Sequence, residues 1–245
     1  MVEPLMTVEE IANYLNFSER TIYTMIKRNK IPYIKVGGRY RFKRETIDEW
    51  LQKKTEMKVK VDLKRVKEEA DPLTKRLLFM GLLTKELKQD KIRPIIVGGN
   101  AVEFYTSGGY ATGDIDVVAP SEPLDKILKR WGFEKEGRHW ISEELVIAIE
   151  APAFSLDSQE QYDMIYEVEI DGLFVYIIGI EDLIVDRLAA YVHWKSSDDK
   201  FWAKELIVLH LDEINWDYLE KRAKEEEVKT ALIELKEVIK RNEKS

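Results

Sequence analysis

Ile95-Ile96-Val97-Gly98-Gly99-Asn100-Ala101 is followed, fifteen residues after Gly99, by Asp114-Ile115-Asp116-Val117-Val118. The first stretch is an apolar run that breaks at a glycine pair and resumes with helical spacing. The second is a strand pattern with carboxylates at i and i+2. Side chains alternate faces along a strand, so Asp114 and Asp116 project to the same side. Adjacent carboxylates repel, and a sheet tolerates them best with a cation between them. A hard cation such as Mg2+ suits all-oxygen ligation and usually brings phosphate with it. Gly98 and Gly99, lacking Cβ atoms, let backbone N–H groups approach a phosphate at the start of the next helix. Together the two stretches predict a metal–nucleotide site.

The order Gly98-Gly99-x14-Asp114-x-Asp116, with Asn100-Ala101, Tyr105 and Thr112 around it, resembles the signature of the nucleotidyltransferase superfamily, the DNA polymerase β-like fold. It is most similar to the small stand-alone types found among prokaryotic antitoxins and abortive-infection proteins. Ile180-Glu181-Asp182-Leu183-Ile184-Val185-Asp186-Arg187-Leu188-Ala189-Ala190 resembles the helix of those families that reads roughly DLI-x-x-K/R-L-x-A. Lys195 and Asp198 fit a following basic-x-x-Asp element, and the likeness spans about residues 73 to 210. The resemblance implies Mg2+ held by Asp114 and Asp116, an NTP triphosphate against Gly98 and Gly99, and phosphate charge neutralised by Arg187 or Lys195.

Polymerase-type chemistry also asks for a third carboxylate on a neighbouring strand, to bind metal or take the proton of the attacking hydroxyl. Leu145-Val146-Ile147-Ala148-Ile149-Glu150 is an apolar strand-like run ending in one acid, which makes Glu150 the third catalytic candidate beside Asp114 and Asp116. The competing reading of Glu150 is an acid that merely ends a strand at the surface. Asp157 and Asp163 are the alternatives, in a segment, 152–163, that reads as a mobile acidic loop.

The first 55 residues follow another pattern. Thr7-Val8-Glu9-Glu10 is a capping box, and Ile11, Ala12 and Leu15 mark one helical face. Ser18 is a second N-cap, followed by the apolar stripe Ile22, Met25 and Ile26. Two short helices joined in this way form a helix-turn-helix. Tyr33-Ile34-Lys35-Val36, Gly37-Gly38 and Arg39-Tyr40-Arg41-Phe42 read as a two-stranded wing with a tight turn. Arg44 to Leu51 closes the unit as a helix with Ile47, Trp50 and Leu51 turned inward. The stretch closely resembles the excisionase/MerR-like winged helix-turn-helix domain, through Met6–Ala12, Ser18-x-x-Thr21-Ile22-Tyr23, Ile31-Pro32, Val36–Phe42 and Ile47-x-x-Trp50-Leu51. That resemblance implies duplex DNA as partner. Ser18, Arg20, Thr21, Lys27 and Arg28 would meet the major groove, with Arg39, Arg41 and Lys43 on phosphates or the minor groove.

Charge divides the chain at the same place. Residues 1–55 hold 11 Lys and Arg against 7 Asp and Glu, a net of +4; the remaining 28 against 39 give −11. A basic head on an acidic body places nucleic acid on the head. The chain has no cysteine, which excludes disulfides, thiolate catalysis and zinc–cysteine sites. His139, His193 and His210 are scattered without metal-ligand spacing and read as packing or surface residues. No run is apolar and long enough to span a bilayer, and the N-terminus carries no signal-peptide pattern. A soluble, cytoplasmic, two-domain α+β protein is expected, without membrane partners.

Its predicted parts are residues 1–55, a charged linker over 56–71, and a nucleotidyltransferase-fold mixed sheet flanked by helices, with further C-terminal helices, over 72–245. Asp71-Pro72 opens a helix over about 73–88, and strands follow near 92–97, 139–141, 145–151, 166–170 and 174–178, the last two around Asp171-Gly172. Helices are expected near 122–131, 181–194 and 198–209, with one long helix over 217–240. Leu232, Leu235, Val238 and Ile239 on that last helix suggest a homodimer contact. Three functions fit: transfer of a nucleoside monophosphate from NTP to a protein or RNA hydroxyl, a DNA-bound regulator whose body is a non-catalytic sensor or dimerisation module, and a toxin–antitoxin component.

Overall fold

Thr7 and Ser18 start the first two helices as their sequence contexts require. In the computed structural model, which describes residues 4–242, α1 (Val8–Tyr14) is capped by Thr7 and Glu10 reciprocally, and α2 (Glu19–Lys27) by the Ser18 hydroxyl. The terminal residues 1–3 and 243–245 of the expected domains lie outside the described residues. Strands β1 (Ile34–Val36) and β2 (Arg39–Arg41) pair antiparallel around Gly37 and Gly38, both at positive φ, 56° and 78°. Positive φ at both central positions is what a tight hairpin turn demands. Ile11, Ile22, Phe42 and Ile47 are fully buried, each contributing about 1.5–3 kcal/mol of burial energy. Trp50 packs against this cluster, whereas Leu51 is 37% exposed and does not turn inward as expected.

The next helix, α3, runs from Arg44 to Glu68 and so continues through the segment expected as a charged linker. No Gly or Pro interrupts residues 44–68, and Lys, Glu, Gln, Leu and Met are good helix formers. A bond from Gln52 to Glu56 (3.1 Å) adds i,i+4 support. The chain divides into two compact units, Met1–Lys64 and Arg65–Ser245.

The second unit begins with α4 (Pro72–Leu87), N-capped by Asp71 with Pro at the first turn. Its sheet is built from β3 (Ile95–Val97), β4 (Asp114–Val118), β5 (Glu134–Glu136), β6 (His139–Ser142), β7 (Ile147–Ala153), β8 (Tyr166–Ile170) and β9 (Leu173–Ile177). The seven strands lie in the order β5-β6-β7-β4-β3-β9-β8, a mixed sheet in an α+β fold. β4 runs antiparallel to β3 and parallel to β7. Ile115 and Val117 are fully buried on the face of β4 opposite the two aspartates. Helices α5 (Gly98–Tyr105), α6 (Ser121–Arg130), α8 (Ile180–Trp194) and α9 (Ser197–Leu209) accompany the sheet.

Two expectations fail here. The loop over 152–163 contains α7 (Gln159–Asp163), set by a Ser158–Gln161 capping box, with Gln161 buried. The single C-terminal helix is two, α10 (Trp216–Glu225) and α11 (Lys229–Asn242), broken where Glu227 takes φ 60°. Leu232, Leu235 and Ile239 are buried within the chain's own core, so only Val238 (42% exposed) remains of the proposed dimer stripe. Apolar spacing alone does not distinguish a face packed inside the chain from one awaiting a partner.

Candidate functional site

Strand pairing brings the carboxylates together. Asp116 on β4 lies in register with Glu150 on β7, and Glu150 in turn with His139 on β6. Val97, the last residue of β3, sits on the other side of Asp116. His139, Glu150, Asp116 and Val97 therefore form one row across four strands, with Asp114 two residues along on the same face. Glu150 is 9% exposed, so the reading of a mere surface strand end does not hold.

Gly98 is fitted to this row twice over. Its φ is +59°, and a Cβ there would stand 2.2 Å from Asp116 Oδ2. The Gly99 backbone N–H favours the charged form of the Asp116 carboxyl. Burial, then the charges of Asp114 and Glu150, push the Asp116 carboxyl above its ordinary value, against the pull of that N–H and of Arg187. Asp114 is oriented separately by the Thr112 hydroxyl, 3.2 Å from Oδ1. Glu150 Oε2 is ion-paired with Arg138 Nε at 3.2 Å and lies 3.1 Å from His139 Nε2.

Ligand atoms of Asp114, His139 and Glu150 lie within 4.8 Å of one another, a span that one divalent ion can bridge. His139, expected as a packing or surface residue, stands beside carboxylates 25 positions earlier and 11 later, and only strand pairing joins them.

A cavity of about 410 Å³ opens beside Asp116, bounded by Val97 and Gly98 on one side and by Asp182, Asp186, Arg187 and Arg222 on the other. Asp157 also lines it, whereas Asp163 does not; Asp163 accepts a bond from Gln159. Arg187 is already engaged, with Asp186 at 2.6 Å and Asp199 at 2.7 Å. Burial opposes its charge, but those two carboxylates leave its pKa raised. Lys195 is the exposed C-cap of α8, at φ 59°, and is not among the residues lining the cavity.

The cavity wall carries a buried network that the motif did not announce. Asp182 accepts from Arg222 Nε (2.9 Å), Tyr218 Oη (2.8 Å) and Gln161 Nε2 (3.2 Å). The same Gln161 caps the backbone of Asp157 and Ser158, so α7, α8 and α10 are tied together along the cavity wall.

In the first unit, Arg20, Lys27 and Arg28 are exposed on and just after α2. Ser18 and Thr21 are also exposed, their hydroxyls 2.8 Å apart at the helix cap. Arg39 is exposed on β2; Arg41 is half-buried, its guanidinium donating to the Tyr40 carbonyl at 2.8 Å. Lys43 pairs with Glu45 at 2.7 Å, an exposed contact worth little.

A mixed sheet carrying Asp-x-Asp beside a Gly-Gly helix start defines the nucleotidyltransferase class. The chain belongs to the family of nucleotidyltransferases of unknown function DUF6036, whose model matches residues 77–242. A helix-turn-helix domain matches residues 5–55, so the chain is a fusion of the two. No curated protein matches it significantly. Among solved structures it is similar to an antigenic nucleotidyltransferase-like protein from Paracoccidioides brasiliensis, at 18% identity over 71% of this chain and 90% of that one, TM-score 0.49. It is also similar to the antibiotic-resistance factor ANT(2'')-Ia, at 15% identity over 69% of this chain and 95% of that one, TM-score 0.43. A complex of that factor with adenylyl-2''-tobramycin gives 17% identity over 62% and 95%, TM-score 0.42.

Proposed function

We propose that this protein transfers a nucleoside monophosphate from Mg2+·NTP to a hydroxyl on a protein or RNA acceptor, while its helix-turn-helix unit holds duplex DNA. One observation carries this: Asp114, Asp116 and Glu150 converge across β4 and β7, next to Gly98 and the 410 Å³ cavity. The chemistry of the donors fits a divalent cation: Asp114 and Asp116 offer carboxylate oxygens from one face of β4, and Asp114 and Glu150 belong to a group whose ligand atoms lie within 4.8 Å of one another. Asp114 and Asp116 would hold Mg2+, with Glu150 the third carboxylate. Bound Mg2+ supplies neutralisation of the charge that builds on the phosphoryl oxygens.

The chain's own residues do the rest. Gly98 leaves room for the Asp116 carboxylate, and the α5 N-terminus beside it would favour the charge of the triphosphate. Arg187 lends its positive charge from α8. The acceptor oxygen bonds to the α-phosphorus, the bond to the bridging oxygen breaks, and pyrophosphate leaves. The hydroxyl proton passes to one of the three carboxylates.

On the first unit, Arg20, Lys27 and Arg28 would enter the major groove, flanked by Ser18 and Thr21. Arg39, Arg41 and Lys43 would meet phosphate. A toxin–antitoxin role follows from joining such a head to such a body, with the head at an operator and the body acting on a protein or RNA. No described helix is long and apolar enough to cross a membrane, in keeping with a cytoplasmic site of action.

Incubation with labelled NTP, Mg2+ and cell extract tests the transfer. A labelled protein or RNA band that disappears with Asp116→Asn is expected, and no labelled product with any NTP overturns it. A second reading, a DNA-bound regulator with a non-catalytic body, is favoured by Arg187 being spent on Asp186 and Asp199. It predicts nucleotide binding without transfer.

A further inference from the structure

We propose that Asp114, His139 and Glu150 form a mixed nitrogen–oxygen site for a first-row transition divalent cation, set apart from the all-carboxylate Asp114–Asp116 pair. The inference rests on the metal-dependent reading above and extends it by naming the ion class and a nitrogen ligand.

Three neighbouring strands supply the site. Asp114 comes from β4, Glu150 from β7 and His139 from β6, with ligand atoms within 4.8 Å of one another. Strands lie about 4.8 Å apart, so Asp114 and His139 reach toward each other over β7. The β7 residue level with Asp114 is Ala148, on the same face as Glu150, and its side chain is only a methyl. An outer contact holds one ligand, the Thr112 hydroxyl orienting Asp114, while Arg138 stands against the Glu150 carboxylate where a cation would bind. Contacts like that of Thr112 fix first-ligand geometry in metal sites. Arg138 is 75% exposed in its side chain and can withdraw to water when a cation takes its place.

Ligand chemistry decides the ion. Mg2+ binds oxygen and accepts imidazole poorly, whereas Mn2+, Fe2+, Co2+ and Zn2+ take imidazole and carboxylate together. Asp116 is not in the mixed set; it faces Gly98 and the cavity. The row thus offers a nitrogen-bearing position over β6–β7 and an all-oxygen one toward the nucleotide side, sharing Asp114.

Pulsed electron paramagnetic resonance of Mn2+ bound to the untagged, metal-stripped full chain is the test. The expected result is nitrogen-14 modulation from one coordinated imidazole at one equivalent of Mn2+, absent in His139→Ala and in His139→Asn. Calorimetry on the same variants should show Mn2+ affinity reduced about tenfold or more, with Mg2+ affinity changed less than about twofold. Absence of nitrogen modulation in the wild type overturns the proposal whether or not the variants fold. So does a failure of Mn2+ to bind, or an equal fall for both metals. Mg2+·NTP binding that is intact without nitrogen modulation sinks this inference alone. Nitrogen modulation without any Mg2+·NTP binding sinks the parent reading alone.

Discussion

Gly98 carries two constraints at once, a left-handed φ of +59° and a carboxylate oxygen 2.2 Å from where its Cβ would be. Gly98→Ala should cost about 2 kcal/mol or more, since left-handed backbone alone costs about 1–2 for other residues. Gly113→Ala, with nothing within 4 Å of the added Cβ and no positive φ, should change stability by less than about 0.5 kcal/mol in thermal melts. An equal cost at both positions would contradict the close fit of Gly98 to Asp116. Asp116 itself is strained by its neighbours. Its folded pKa is raised, by burial first and then by Asp114 and Glu150, so folding favours the protonated carboxyl. The stability it contributes is present below its unfolded pKa and lost as pH rises through the folded value. In chelator, Asp116→Asn should therefore raise Tm at neutral pH. The gain should vanish near about pH 3, where the carboxyl is protonated folded or unfolded.

Elements bring these residues together, and their signals differ in strength. The period-two pattern of Asp114–Val118 put both aspartates on one face correctly, and the apolar run before Glu150 pointed to the strand beside them. His139 reads as a packing or surface residue in the sequence because strand register, set by tertiary pairing, leaves no local spacing to read. Ser158-x-x-Gln161 did announce α7 as a capping box, masked by the polar residues around it. The break at Glu227 had no Gly or Pro to mark it, which is why one helix was expected where α10 and α11 stand. Glu227→Gly should stabilise the protein by about 1 kcal/mol, as the left-handed position suits glycine. The Asp182 network is the opposite case: three donors converge on one buried carboxylate. Asp182→Ala takes from Arg222 its buried carboxylate partner, leaving the half-exposed Glu225 and Glu226, and should cost about 3 kcal/mol in denaturant unfolding. A loss under about 1 kcal/mol would show that α7, α8 and α10 do not depend on it.

For the whole molecule, residues 1–55 at +4 joined to a remainder at −11 separate two kinds of chemistry along one chain. DNA affinity should fall steeply with salt through counterion release, and Arg39→Ala should reduce the slope of log affinity against log salt by about 1. Affinity independent of salt would contradict the phosphate contacts. DNA binding should also survive Asp114→Asn with Asp116→Asn, since those carboxylates belong to the other unit. The central claim is that the carboxylate row beside Gly98 binds Mg2+·NTP. Calorimetric titration of Mg2+·NTP into wild type and into the Asp114→Asn, Asp116→Asn double variant tests it most directly. Metal-dependent binding to the wild type that is abolished in the folded double variant is the result predicted; unchanged affinity in that variant would contradict it.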